Sequence, residues 1–315
     1  MVSRDNGNGN NGLRTAPKQG RSPLTWFGGK GNFLAKLLPL VPPHTSYCEP
    51  FAGAAALFFA KAPAPIETLN DLNGDLIHFY KVLRDPTLYP ELQRRLELTL
   101  YSRQEYYEAR ATWREIADPV ERAARWFVVN RMSFGGRFGS GWGYGTHDIV
   151  GGGYVGQSRT WLFAIDNVLP AAHARLRQAQ IECADWRKVL VAHDGPNCFF
   201  YCDPPYVLGT RRAGGYAHEM TDDDHCEFVA VLQTLAGMVL VSGYAHPIYD
   251  PLVTAGWERL DYETGCFAAG RTRASGLIGT GAALRDQSRT ETLWLNPALQ
   301  KALGRGRQLT LPGVE

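Results

Sequence analysis

Long apolar runs are missing from these 315 residues. No stretch of about 18 consecutive apolar residues occurs, so nothing in the sequence reads as a membrane span. The opening stretch, MVSRDNGNGNNGLRTAPKQG, has no apolar core either, and residues 1–21 are expected to form a polar tail, neither a signal peptide nor a folded element. Cysteine is sparse: six residues, at 48, 183, 198, 202, 226 and 266, with no CxxC pair. That speaks against a zinc ribbon or a disulfide framework and fits reduced, mostly buried thiols in a cytoplasmic protein. The histidines lack metal-site spacing, including His218 and His225 around an acidic turn, so no metal is expected. A surplus of one charge is lacking as well, since the formal net charge is only +2. Overall charge therefore does not mark a polyanion partner. What is present in quantity is core material, 44% hydrophobic residues and eight tryptophans, which excludes wholesale disorder.

Apolar segments of strand length alternate with helical patterns. Expected strands are Thr45–Cys48, Glu67–Leu69, Gln180–Cys183, Cys198–Cys202 and Met238–Ser242. The continuous runs NCFFYC and GMVLVS suit central strands buried on both faces. Thr221 followed by three aspartates reads as a helix start, with Phe228, Val231, Leu232 and Leu235 on its core side. This alternation predicts an α/β, doubly wound sheet. Residues 84–179 break the rhythm. Ser102 and Glu105 form a capping-box pattern, and Asp118-Pro119 opens a helix whose residues 120, 124, 127 and 128 share a face. A Gly-rich stretch follows, with ten glycines between Gly135 and Gly156 and aromatic residues at 138, 142, 144 and 154. The expected organisation is a discontinuous catalytic domain (22–83 and 180–300) interrupted by a mostly helical insertion (84–179), with a C-terminal tail over 301–315. Seven arginines against two acids lie between Arg122 and Arg177, a local basic surplus that either faces phosphates or is ordinary helix surface.

Four motifs carry chemistry. Asp203-Pro204-Pro205-Tyr206 follows a buried strand, at the edge where α/β sheets place their sites. The prolines fix φ and forbid an immediate helix, so an acid, a backbone carbonyl and an aromatic ring share one stiff corner. Two such acceptors suit an aryl amine: hydrogen bonds from both N–H groups draw the nitrogen toward tetrahedral geometry and free its lone pair for attack on a sulfonium methyl. The ring suits stacking on a base turned out of a duplex. Upstream, Cys48-Glu49-Pro50-Phe51-Ala52-Gly53 ends a strand before an Ala-rich helix, and Gly53 permits close backbone approach to a ligand. Too few glycines are present for a dinucleotide fingerprint. Asn70-Asp71-Leu72-Asn73 follows the next strand, placing an acid where ribose hydroxyls are bound or, equally, where a turn is capped. Trp26-Phe27-Gly28-Gly29-Lys30 offers a cation for a ligand carboxylate but lacks the spacing of a P-loop.

Together these residues resemble the Dam-type family of DNA adenine-N6 methyltransferases. The likeness runs from about 22 to 296 and includes NDLNGDLIHFYKVLRDP, NRMSFGG, FFYCDPPY, LVSGYAHPIYDPL and TETLWLNP. It implies a Rossmann-like methyltransferase domain with an inserted target-recognition domain, acting on N6 of a flipped-out adenine in double-stranded DNA. It implies S-adenosylmethionine as the cofactor, contacted by Trp26, Lys30, Asp71 and Asp203, in a pocket lined by Glu49, Phe51 and Gly53, with Asp185 at its adenine end. Asp203, Pro204, Pro205 and Tyr206 become the catalytic tetrapeptide. Arg131, Arg137 and Arg159 are the candidate DNA contacts of the insertion, and Arg211 and Arg212 those of the loop after the tetrapeptide. The glycine turn departs from many relatives by carrying Ala55 where they have a second glycine. The Gly-rich 135–156 run lacks the basic hairpin of members that read GATC. RNA or protein-amide methylation on the same scaffold, and a non-catalytic DNA-binding module, are the competing readings; Asp203 in place of Asn speaks against glutamine. A single chain is the default, and a restriction-endonuclease partner is left open.

Overall fold

A computed structural model of the chain describes residues 20–26, 28–144, 156–210, 218–265 and 288–305. Seven strands form one sheet: β1 Ser46–Glu49, β2 Ile66–Asn70, β3 Gln180–Glu182, β4 Cys198–Cys202, β5 Met238–Gly243, β6 Glu258–Gly265 and β7 Ser288–Leu295. Their order is β3-β2-β1-β4-β5-β7-β6. The first five run parallel, while β7 is antiparallel to both β5 and β6. This is a mixed α/β fold of Rossmann-like type.

Strand periodicity explains the two-sided core. Phe199 and Tyr201 of β4 join one apolar cluster, and Cys198, Phe200 and Cys202 join another. Alternate residues of a strand point to opposite faces, so a strand buried on both faces reads as an unbroken apolar run. β5 repeats the division, with Leu240 on one side and Val239 and Val241 on the other.

The helices are α1 Leu34–Leu37, α2 Ala56–Ala60, α3 Gly74–Arg84, α4 Tyr89–Glu97, α5 Arg103–Thr112, α6 Pro119–Met132, α7 Gln157–Phe163, α8 Leu169–Leu176, α9 Trp186–Ala192, α10 Asp222–Leu232, α11 Asp250–Thr254 and α12 Pro297–Ala302. Caps set several starts. Asp118 accepts from the Glu121 N–H at α6, and Ser102 accepts from the Glu105 N–H at α5. Thr221 and Asp224 form a full capping box at α10. None of these helices is long and apolar enough to cross a membrane among the described residues.

The segment between α3 and β3 is helical and packs directly on the sheet's own helix. Phe79 of α3 stacks on Trp126 and Phe127 of α6, each with ring centroids 5.2 Å apart. α7 passes into α8 through a π-helical turn, Ala164–Val168. Pro170, at the start of α8, has no N–H to give to an earlier carbonyl, and a wider turn takes up the lost bond. α8 is tied back to the sheet by Arg175, which pairs with Glu67 of β2. Lys61 reaches the same carboxylate at 2.5 Å. Two cations thus flank one fully buried acid.

Candidate active site

The motif residues gather at the carboxyl edge of the parallel strands. β1 delivers the 50–55 turn, β2 delivers Asp71, β3 delivers Asp185 and β4 delivers Asp203. A shallow groove of about 360 Å³ lies at the opposite edge, lined by Ser46, Ile66, Gln180, His193, Asp194 and Cys198 among others. None of the motif residues lines it.

Trp26, Gly53 and Asp71 form one group. Gly53 has φ +47°, and a Cβ built on it would lie 2.8 Å from Trp26 Nε1. Only glycine lets the indole and the turn approach so closely. The Gly53 N–H donates to Asp71 Oδ2 at 2.9 Å, and the Asn73 N–H donates to Oδ1 at 2.9 Å. Burial pushes the Asp71 pKa up, opposed by those two N–H bonds. Each carboxylate oxygen keeps a second lone pair for a ligand hydroxyl. Phe51 lies beside Trp186 and Phe228 in a three-ring cluster, with centroids 6.3 and 5.6 Å away. An aromatic floor, a glycine cradle and an acid after β2 fit an adenosyl cofactor.

Lys30, Asp203 and Tyr206 form the second group. The Lys30 ammonium, 7% exposed, sits 2.8 Å from Asp203 Oδ1 and 2.9 Å from Oδ2. It also donates to the Gly28 carbonyl at 3.1 Å and lies 3.4 Å from Glu291 Oε1. Ser242 Oγ donates to Asp203 Oδ1 at 2.7 Å and lies 3.1 Å from the Tyr201 hydroxyl. Lys30 therefore holds the very acid on which the amine chemistry depends. The expectation had it reaching for a ligand carboxylate alone.

Three residues sit otherwise than expected. Tyr206 is 6% exposed; its hydroxyl donates to Glu291, its ring faces Lys30 at 4.8 Å and meets Tyr244 edge-on at 4.6 Å. The hydroxyl is drawn into the polar cluster, and the half-buried Tyr244 stands beside it. Glu49 turns inward and accepts from the Tyr47 hydroxyl at 2.5 Å and the Phe58 N–H at 2.9 Å. Burial pushes its pKa up to about 8. Arg131 also points inward, toward the Pro23 and Thr160 carbonyls at 3.5 and 3.3 Å. Asp185 caps α9 by accepting from the Arg187 N–H and pairs with the Arg187 guanidinium. Arg137 and Arg159 are exposed. Phe27, Arg211 and Arg212 lie outside the described residues.

Sequence reasoning missed Ser242, Glu291, Tyr244, Asn70 and Asn130. Asn70 donates to the Pro50 and Ala184 carbonyls at 2.9 and 3.0 Å and accepts from the Ala184 N–H, lacing three site loops together. Asn130 accepts from the Thr25 N–H and donates to the Thr25 carbonyl, while the Thr25 hydroxyl donates to the Asn130 carbonyl. A signal existed for Glu291, a lone acid in the strand run TETLWL.

A Rossmann-like sheet with an acid–Pro–Pro–aromatic corner at its central strand, a glycine turn after β1 and an acid after β2 defines a methyltransferase of the α/β class. Residues 26–253 match the family of D12 class N6 adenine-specific DNA methyltransferases, and the chain belongs to that family. Individual relatives agree. The DNA N-6-adenine-methyltransferase of Escherichia phage P1 is 29% identical over 227 residues, covering 70% of this chain and 29% of the phage protein. The Type II methyltransferase M1.LlaDCHI of Lactococcus lactis subsp. cremoris is 31% identical over 211 residues, 62% of this chain and 70% of its own length. A DNA adenine methylase of Vibrio cholerae serotype O1 is 26% identical over 226 residues, 70% of this chain and 78% of its own length. The chain thus spans under a third of the phage protein and over two thirds of the other two.

Proposed function

We propose that the chain methylates N6 of an adenine extruded from double-stranded DNA, using S-adenosylmethionine. The cofactor supplies an electrophilic methyl on a sulfonium sulfur. Trp26, Phe51 and Gly53 enclose it, Asp71 takes its ribose hydroxyls, Asp185 faces its adenine end and Lys30 takes its carboxylate. Asp203 and the Pro204 carbonyl accept the two N–H hydrogens of the target amine and so expose its lone pair. Asp203 has room for this. Its Oδ1 is crowded by Lys30, Ser242 and Tyr206, whereas among the described residues only Lys30 donates to Oδ2, and a carboxylate oxygen accepts twice. Pro204 and Pro205 hold the corner stiff. The half-buried Tyr244 is better placed than Tyr206 to meet the base with a ring face. Residues 84–179 serve as the target-recognition insertion, with Arg137 and Arg159 at its surface.

The observation that carries this reading is Asp203, placed by the carboxyl end of β4 within reach of Lys30, Ser242 and Tyr206. The test incubates the chain with methyl-labelled S-adenosylmethionine and, in parallel, DNA, RNA and protein lysate. Label in DNA as N6-methyladenine, lost in Asp203→Ala, is the expected result. Label confined to RNA or protein, or retained in Asp203→Ala, overturns it.

A further inference from the structure

Glu291 enters the site from β7, the antiparallel strand, beyond the parallel strands β1, β2 and β4 that carry the Gly53, Asp71 and Asp203 motifs. It is 8% exposed. Its carboxylate receives the Tyr206 hydroxyl and lies 3.4 Å from the Lys30 ammonium, which Asp203 holds from the other side. A hydroxyl has one proton to give. Tyr206 spends it on Glu291, its nearer acceptor, and Asp203 Oδ1 stands 3.2 Å off. Lys30 is shared between two acids. Burial pushes its pKa up, opposed by Lys30 and the Tyr206 hydroxyl, while the charge of Asp203 adds to the rise; the charge of so buried an acid is tolerable only where cations and donors hold it.

We propose that Glu291 is a positioning residue of the transfer site that also gives it preference for the sulfonium cofactor over the neutral thioether product: it fixes Tyr206, divides Lys30 with Asp203 and leaves the cluster with one negative charge in excess. The inference rests on the methyltransferase reading above. Among the described residues the charge count sets Lys30 against Asp203 and Glu291. Cofactor and product carry the same amino-acid end and differ by the one positive charge on sulfur. A surplus anion in a poorly screened site favours the charged partner. Without it, Lys30 and Asp203 form a closed neutral pair, and the Tyr206 hydroxyl turns back onto Asp203 Oδ1, competing for the acid that the target amine needs.

The experiment compares Glu291→Gln, Glu291→Asp, Glu291→Leu, Tyr206→Phe and the double variant Glu291→Leu/Tyr206→Phe with the unmodified chain. Affinities for S-adenosylmethionine and S-adenosylhomocysteine are measured by calorimetry without DNA. Glu291→Gln is expected to narrow the preference for the cofactor by about five- to tenfold, and Glu291→Asp, which keeps the charge, by less than about twofold. In single-turnover DNA methylation, Glu291→Leu, which unlike Glu291→Gln leaves the Tyr206 hydroxyl no acceptor at this position, is expected to lower the rate at saturating cofactor at least about tenfold, a loss that largely disappears in the Tyr206→Phe background because the two act as a unit. An unchanged affinity ratio in Glu291→Gln, or rate losses that simply multiply in the double variant, overturns the proposal. Should the unmodified chain bind the cofactor and methylate no DNA, the proposed function fails, and the affinity ratio still decides the role of Glu291.

Discussion

Replacing Glu49 by Gln should stabilise the protein, and more so as pH rises. The carboxyl ends β1 in a fully enclosed position, where burial lifts its pKa from 4.5 to about 8 against the pull of the Tyr47 hydroxyl, the Phe58 N–H, and Lys61; the charge of Asp203 adds to the rise. Near neutrality the folded chain therefore binds a proton that the unfolded chain has released. Stability conferred by this group is complete below about pH 4.5, falls as pH rises and is exhausted above about pH 8. At pH 7 the gap is about 2.5 pH units, or on the order of 3 kcal/mol at 1.36 kcal/mol per unit. Glutamine keeps an acceptor for both donors, since Tyr47 and Phe58 share the single oxygen Oε1. Burying the new amide N–H groups reduces the gain, to roughly 1–3 kcal/mol at pH 7. Urea denaturation of both proteins at half-unit steps from pH 5 to 8.5 measures it. The two stabilities should separate steadily with pH, the parent losing up to about 1.4 kcal/mol per unit relative to the variant. Parallel curves would refute the reasoning, because they would mean that Glu49 is ionised in the folded state at no cost.

Ala55 occupies the left-handed region, φ +50° and ψ +41°, at 1% exposure. Ala55→Gly should raise the urea midpoint by the equivalent of about 0.5–1 kcal/mol, the strain relieved less the entropy added; a lower midpoint counts against strain at this turn. Asn130→Ala removes the clasp on Thr25 and should cost about 1–3 kcal/mol of stability. It should also weaken S-adenosylmethionine binding in calorimetry, since Trp26 and Lys30 follow Thr25 in the chain; lost stability with unaltered affinity would show that the clasp does not serve the site. Of the seven arginines between 122 and 177, four are engaged internally: Arg122 with Asp75, Arg125 with Glu121, Arg131 with backbone carbonyls and Arg175 with Glu67. With at least these four held by the chain itself, the slope of log affinity for DNA against log salt should be no steeper than about −3, and a slope of about −6 would show that the engaged arginines turn outward on binding.

The central parallel strands β4 and β5 were legible because burial on both faces leaves an unbroken apolar run, as in Cys198–Cys202 and Met238–Gly243. β6 and β7 were passed over, although the alternation of Leu260 and Tyr262 with Asp261 and Glu263 in ERLDYETG is the pattern of a half-buried strand. The helix starts at Asp118 and Thr221 were readable because a cap lies within four residues of what it caps. The motifs were local too: Asp71 and Asp203 each follow a strand by one residue and Gly53 by four. What holds them is not local. Glu291 meets Tyr206 across 85 positions, Asn70 meets Ala184 across 114 and Asn130 meets Thr25 across 105. No spacing rule spans such distances, so orientation was misjudged where a distant partner decides it. Tyr206 is drawn in by Glu291. Arg131 is drawn toward Pro23 and Thr160, 108 and 29 positions away, whereas Glu49 is held by near neighbours, Tyr47 and Phe58. The arginine surplus stayed open between phosphate contact and helix surface for the same reason, since a count of charges is blind to Asp75 and Glu67, which lie earlier in the chain.

These long-range partners bind the insertion and the sheet into one mechanical unit. α6 is stacked through Trp126 and Phe127 on Phe79 of α3, the helix that begins just after Asp71. The carboxyl end of α6 grips Thr25, one residue before the indole that rests on Gly53. A single helix is thus fixed at one side to the acid after β2 and at its end to the strap that leads to Lys30. Packed cores transmit displacement because close-packed side chains have few voids in which to absorb it. Load applied to α6 therefore reaches Asp71 through α3, and Trp26 and Lys30 through the strap. Lys30 in turn holds Asp203. The route from the insertion to the acid of the tetrapeptide has three links, Asn130 to Thr25, Thr25 along the chain to Lys30, and Lys30 to Asp203, and two of the three are side-chain contacts that one substitution removes.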